Sequence, residues 1–367
     1  MNAMTRRLAV GTVAVSIALT MAACGKAGDK KSSDGGNASS SAGGKSIGLL
    51  LPENATTRYE KFDKPLIEAK IKSLCSDCTV EYANAGADPQ KQAQQVQTMI
   101  TKGVKVLIVD PQDSAAIKSS IQSAVDKGIK VVAYDRLAQG PISAYVSYDN
   151  EKIGELQGQS LLDAMGSAAT PQANVVMIDG DPADPNAAMF KAGAHKVLDG
   201  KVKIAYEQSG LWKDTVAAQK MTAAVTQLGK GNIKGVYAAN DGMAGGVATV
   251  LKGNGMNVPL TGQDAELAGL QRILAGTQTA TIYKPYAPEA NATAEIAVDL
   301  LEGKDFKSVA TTTATSVSGE TVPALLIGAT PVNKANIKDT VIKDGLYTTA
   351  QLCTGEFAAA CKAAGIQ

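Results

Sequence analysis

A chain of 367 residues, 45% hydrophobic and 19% charged, is long enough to bury substantial cores and suits two lobes better than one. Its 36 basic and 35 acidic side chains give a formal charge of +1, which becomes about −1 if Arg6 and Arg7 leave with the leader described next. Such a balance offers no electrostatic case for nucleic acid or for a highly charged ligand, and with aromatics at 4% any ring near a cleft carries information.

The first two dozen residues have the form of an export signal. Arg6 and Arg7 are its positive start, and Leu8 to Met21 its apolar run. A bilayer core requires about 20 predominantly apolar residues, and this run is shorter and broken by Gly11, Thr12, Ser16 and Thr20. Met21-Ala22-Ala23-Cys24 resembles a bacterial lipoprotein cleavage box, so residues 1–23 are assigned as a lipoprotein signal peptide and Cys24 as the lipidated mature N-terminus. The alternative is ordinary signal cleavage beside an incidental cysteine. Acyl chains on Cys24 would hold the protein on the outer face of the cell membrane. The stretch 24–45, without a large apolar side chain, cannot bury enough surface to offset its ordering entropy and is expected to be a flexible tether.

From Ser46 onward short β-branched runs alternate with amphipathic stretches. Strands are predicted at 47–51, 79–84, 104–109 and 130–134, with helices at 60–74, 90–102 and 114–127 between them. After Asp149 the alternation restarts: helix 150–165, strand 175–179, helix 186–198, strand 203–206, helix 215–228, strand 235–238, helix 243–254, strand 260–262, helix 266–275, strand 281–284, helix 288–301 and a strand near 322–326. This is an α/β pattern of parallel sheets covered on both faces, in two lobes without a sequence repeat. The expected division places 46–150 and 285–321 in an N-terminal lobe, 151–284 and 322–352 in a C-terminal lobe, and 353–367 in a C-terminal extension, although helix 288–301 and the strand near 322–326 could finish either lobe. Four cysteines remain beyond Cys24. In an oxidising compartment Cys75, Cys78, Cys353 and Cys361 allow three pairings, of which the two local ones are the simplest. A redox C-x-x-C or a zinc site is less supported: the first pair ends a helix, and the lone histidine, His195, is remote in sequence.

In open α/β sheets ligands bind beyond the carboxyl ends of the strands. The polar residues cluster there: Tyr134-Asp135-Arg136, Asp179 to Asn186, Asn240-Asp241-Gly242, Gln263-Asp264 and Tyr283-Lys284-Pro285. A carboxylate accepts hydrogen bonds from hydroxyls, Lys and Arg donate, and Asn does both, a set suited to a polyhydroxylated ligand. Asp135, Asp184 and Asp264 balance Lys61, Arg136 and Lys284, so a neutral ligand leaves no uncompensated charge. Phe62 and Trp212 offer apolar faces for the C–H sides of a sugar ring. Taken singly, an Asp or Asn after a strand is more often a turn or helix cap, and a lone Phe or Trp is more often core. Their recurrence at equivalent strand ends carries the argument.

From Lys45 to about Leu346 the chain resembles the periplasmic sugar-binding proteins of the ribose and galactose type, and among them the D-xylose-binding members of ABC importers. The resemblance rests on Ala133-Tyr134-Asp135-Arg136, SYDNEKIGELQG from Ser147, GDPADPNAAMFKAG from Gly180, Ala239-Asn240-Asp241, GQDAELAGLQRILAGTQTATIYKP from Gly262 and NIKDTVIKDGLY from Asn336. It implies two Rossmann-like lobes joined by three hinge strands that close on one sugar, with no cofactor and no catalysis. Asp135, Arg136, Asp184, Asn186, Asn240, Asp264 and Lys284 match hydroxyl-binding positions. Lys61 and Phe62 match the donor and stacking positions of the first loop more loosely, and Trp212 aligns only across a gap. The implied partners are a monosaccharide, xylose or a similar aldose such as glucose, and an ABC permease with its ATPase, the protein acting as a monomer. A sensor presenting the same closed surface to a chemotaxis or kinase receptor is the alternative. A repressor of this fold needs a basic helix-turn-helix where this chain has its leader and tether. An enzyme is disfavoured because His195 sits on a helix face, and the acidic run Asp179 to Asp184 lacks the spacing of a calcium loop.

Overall fold

The computed structural model describes residues 44–316 and 319–366. The signal peptide, Cys24 and the tether as far as residue 43 lie outside the described residues.

The chain opens with β1 (Ser46–Leu51), a wide π-helical turn (Tyr59–Asp63), α1 (Lys64–Leu74), β2 (Thr79–Asn84), α2 (Pro89–Lys102), β3 (Val106–Val109), α3 (Lys118–Asp126), β4 (Lys130–Tyr134) and β5 (Ala144–Tyr148). It continues with α4 (Asn150–Met165), β6 (Asn174–Asp179), α5 (Pro185–Leu198), β7 (Lys203–Ser209), α6 (Asp214–Leu228), β8 (Ile233–Ala238), α7 (Asp241–Gly253), β9 (Leu260–Thr261), α8 (Leu267–Ala275) and β10 (Ala280–Tyr283). The last elements are α9 (Tyr286–Glu302), β11 (Thr312–Thr315), β12 (Thr321–Ile327), β13 (Thr330–Asn333), α10 (Thr349–Leu352) and α11 (Ala358–Ala363).

Two mostly parallel sheets result. One runs β11-β12-β5-β4-β3-β1-β2, the other β13-β10-β9-β8-β6-β7, and only the pairs β11–β12 and β10–β13 are antiparallel. Central strands such as Val106–Val109 are buried on both faces, as helices on either side of a parallel sheet demand.

The last predicted strand is a correction. The segment 321–327 pairs with β5, so it belongs to the first sheet and not to the C-terminal lobe. The chain therefore crosses between sheets after β5, after β10 and at 328–329, immediately before β13 joins β10. The strand β5 escapes the sequence pattern because no helix separates it from β4; an irregular loop carries the crossover. The segment beyond 352 is not a detached extension, since Cys361 and Ile366 pack with Leu270, Ile273 and Leu274 of α8. Disulfides join Cys75 to Cys78 and Cys353 to Cys361.

The second lobe depends on a close approach of α4 and α5. A Cβ on Gly154 would stand 2.0 Å from the Phe190 carbonyl oxygen, and one on Gly193 2.0 Å from that of Glu151. Gly154→Ala is expected to cost about 1–3 kcal/mol or more through forced separation of these helices, read as a lowered urea midpoint with an unchanged slope.

Candidate functional site

The carboxyl ends of β4, β6, β8 and β10, together with the first turn before α1, converge on one narrow cleft. It is lined by Thr56, Arg58, Tyr59, Asp135, Arg136, Asp184, Asn186, Phe190, Trp212, Asn240, Gln263, Asp264 and Lys284.

At the end of β4 the backbone turns into the left-handed region at Asp135, φ 56°. That conformation is disfavoured for a non-glycine residue and persists because its carbonyl is held by the Ser147 hydroxyl at 2.6 Å and the Tyr145 hydroxyl at 3.1 Å. The Asp135 carboxylate receives Arg58 at 2.9 Å. Burial pushes this carboxyl up, yet Arg58, Lys284 and Arg136 together hold it below the ordinary aspartate value. Arg136 donates to the Tyr59 hydroxyl at 3.0 Å and to the Pro111 carbonyl at 3.3 Å, and its Nε lies 3.1 Å from Asp184 of the other lobe.

In the second lobe Asp184 ends the loop after β6. One carboxylate oxygen accepts from the Asn186 amide and caps α5, while the other accepts from the Trp212 indole at 3.2 Å. Burial raises Asp184 against the pull of Arg136. Asn186 reaches across the cleft to the Asp135 carbonyl at 3.0 Å. Trp212, at φ 56°, lies so close over Gly180 that a Cβ there would meet the ring at 2.1 Å. Asn240 caps α7 through its Oδ1, which accepts from the Met243 amide, and its amide nitrogen is left for the cleft. Lys284 meets Asp264 at 2.8 Å. Helix capping and cleft lining are thus performed by the same side chains at Asp184 and Asn240. Asn186 Oδ1 and Gln263 Oε1 are buried without a hydrogen-bond partner in the protein, leaving acceptors for the hydroxyls of a ligand.

Two sequence-predicted residues fall elsewhere. Lys61 is exposed, its ammonium 4.6 Å from the centre of the Tyr347 ring, and Phe62 packs at 5.3 Å on Tyr286 and 5.7 Å on Tyr347, outside the cleft lining. The wide turn starts at Tyr59, so Arg58 and Tyr59 occupy the positions expected for Lys61 and Phe62. The charge balance survives the exchange: Arg58, Arg136 and Lys284 face Asp135, Asp184 and Asp264. Thr56, Phe190 and Gln263 also line the cleft and were not singled out. Gln263 stands beside Asp264 at a strand end, whereas Thr56 lies in the loop between β1 and the wide turn.

His195 stays on the outer side of α5, 3.0 Å from Asp199 and 3.3 Å from Glu207. The acidic run forms a turn, with the Asp181 carboxylate accepting from the Ala183 amide. Among the described residues the metal-ligating side chains that come together are Cys75, Asp77 and Cys78, and both thiols are consumed by the disulfide.

Residues 47–305 match the model of the periplasmic binding protein domain. The chain belongs to this family. Periplasmic binding proteins are not enzymes, and the two mostly parallel sheets are their fold. The D-xylose-binding periplasmic protein of Escherichia coli K12 is 39% identical over 316 residues, covering 83% of this chain and 92% of its own. That of Haemophilus influenzae is 39% identical over 314 residues, covering 82% and 90%. Among solved structures, an ABC transporter solute-binding protein from Clostridium phytofermentans with bound β-D-glucose superposes with a TM-score of 0.73 at 25% identity, covering 84% of this chain and all of the other.

Proposed function

We propose that this periplasmic binding protein captures one neutral monosaccharide, D-xylose by preference, in the cleft between its sheets and delivers it to an ABC permease and its ATPase from a lipid anchor at Cys24. The observation that carries the reading is a buried cleft whose three cations and three carboxylates, drawn from both lobes, cancel in formal charge while Asn186 and Gln263 keep unpaired acceptors. A neutral polyol satisfies such a site without burying net charge. The 39% identity to D-xylose-binding proteins supports xylose. The glucose-bound neighbour favours glucose as the second reading.

Capture works through closure. Arg136 to Asp184 and Asn186 to the Asp135 carbonyl span the cleft, so a sugar bridging the same groups stabilises the closed form over open ones. Isothermal titration with xylose, glucose, galactose, ribose and arabinose is expected to give heat with xylose and weaker or no heat with the others. Preference for glucose would keep the class and change the substrate. Silence from folded protein with all five would remove the reading.

A further inference from the structure

The carboxyl of Asp110 is an unexplained group. It directly follows β3, is fully buried, and neither of its side-chain oxygens has a hydrogen-bond partner. Its nearest cation is Arg136, whose Nε stands 3.5 Å from Asp110 and 3.1 Å from Asp184 of the opposite lobe. One guanidinium nitrogen therefore faces a carboxyl on each side, and Arg136 Nε itself makes no aligned hydrogen bond. The other groups acting on Asp110 are Asp135 beyond β4, Arg58 and Tyr59 of the first turn, and Asp184; from α2 comes the uncharged Gln92, bonded to the Asp110 carbonyl.

Arg58, Arg136 and Lys284 are faced by Asp63, Asp110, Asp135, Asp184, Asp264 and Glu289, all buried. The three cations already balance the three carboxylates of the cleft lining, so the three further acids would leave buried net charge if ionised, and some of them hold protons. Asp135, Asp184 and Asp264 line the cleft, while Asp63, Asp110 and Glu289 stand behind it. Asp63 and Glu289 each meet Arg58 directly. Among the described residues Asp110's one ion-pair contact is the distant, shared Arg136.

Resting on the sugar-capture reading, we propose that Asp110 is a positioning residue for it: as a neutral acid it leaves Arg136 to Asp184 and the sugar across the cleft, and as a carboxylate it draws the guanidinium back into its own lobe. Burial, opposed by Arg136, holds the Asp110 carboxyl well above the ordinary aspartate range. The proton comes from solvent, and its loss weakens the interlobe contact that closure needs.

The test is the dissociation constant for xylose, or for glucose where xylose gives no heat, between pH 5 and 9 for the full-length protein, Asp110→Asn and Asp110→Leu. Neither variant can ionise at this position. The ratio of wild-type to variant dissociation constants is expected to rise with pH, approaching tenfold per unit once Asp110 ionises, and to be the same for both variants. A ratio constant across the range overturns the proposal. A sugar-free readout separates it from the capture reading: the aspartate carboxyl ¹³C resonance lost in Asp110→Asn should stand at the neutral-acid position at pH 6. An ionised position overturns the role of Asp110 whatever the sugar does. A neutral Asp110 in a protein that binds none of the five sugars overturns the capture reading and this role with it.

Discussion

Arg58→Ala is expected to destabilise the folded protein by about 3–5 kcal/mol at pH 8, because it leaves buried carboxyls without their cation. Arg58 donates through Nε to Asp63 at 2.7 Å, through one terminal nitrogen to Asp135 at 2.9 Å and through the other to Glu289. Four tyrosines ring it: Tyr286, Tyr59, Tyr148 and Tyr134, with centroids 4.8, 5.5, 5.7 and 5.8 Å away. The pH dependence separates charge from packing. Burial raises Asp63 to about 6 and Glu289 to about 8 despite Arg58, so each binds its proton more tightly folded than unfolded. Such a group favours the folded state at low pH, and its contribution is lost as the pH rises through its folded value. Asp135 has the opposite sign: held low in spite of burial, it favours the folded state above the unfolded aspartate range. Without Arg58 the Asp135 contribution disappears and Glu289 resists ionisation further, so the loss should be largest at pH 8 and smaller at pH 5, where Asp63 and Glu289 are already protonated and need no cation. Urea titrations of the sugar-free protein at both pH values check this. An equal loss at the two would assign the effect to the tyrosine cage, not to charge.

Much of this architecture is visible in the chain because its periodicity is strong. The stretch 150–165 is an α-helix to the residue, with Asp149 accepting from the Lys152 amide at its start. The strands at 79–84 and 130–134 also coincide with their predicted ranges. The strands that escape the periodicity are those without a helix on one side to set the rhythm, β5, β11 and β13, and the short helices α10 and α11 escape it as well. The strand 321–327 is legible, but its place between β11 and β5 is not, because that pairing depends on where the third crossover falls and not on local pattern. In the cleft, residues at strand ends were found because parallel sheets aim those ends together. Arg58 and Tyr59 were missed because a π-helical turn has no hydrophobic period of its own, and the neighbouring Lys61-Phe62 pair has the same donor-plus-ring chemistry three residues later. Asp110 gave no signal beyond following a strand. Its interest arises only from the cations it lacks.

Arg136→Ala is expected to have the largest effect on capture, weakening sugar binding by about 2–5 kcal/mol, or roughly thirty- to several-thousandfold. The side chain is 2% exposed and ties Tyr59 and Pro111 of one lobe to Asp184 of the other. Its removal strands the Asp184 carboxylate in a buried cleft with only the Trp212 indole and the backbone amide that it caps. The loss should appear mainly in the dissociation rate, since truncating a buried partner shortens the life of the closed complex more than it slows encounter. Arg136→Lys keeps the charge but not the planar fork, so it cannot serve Tyr59, Pro111 and Asp184 together and should recover little of the affinity. Asn240→Ala provides the comparison: it removes the cap of α7, which should cost about 1 kcal/mol of stability, along with one ligand-facing amide. Stopped-flow binding of the three variants distinguishes the cases. If Arg136→Ala binds sugar like the wild type while remaining folded, the ligand does not sit between these two lobes, however well the polar lining suits it.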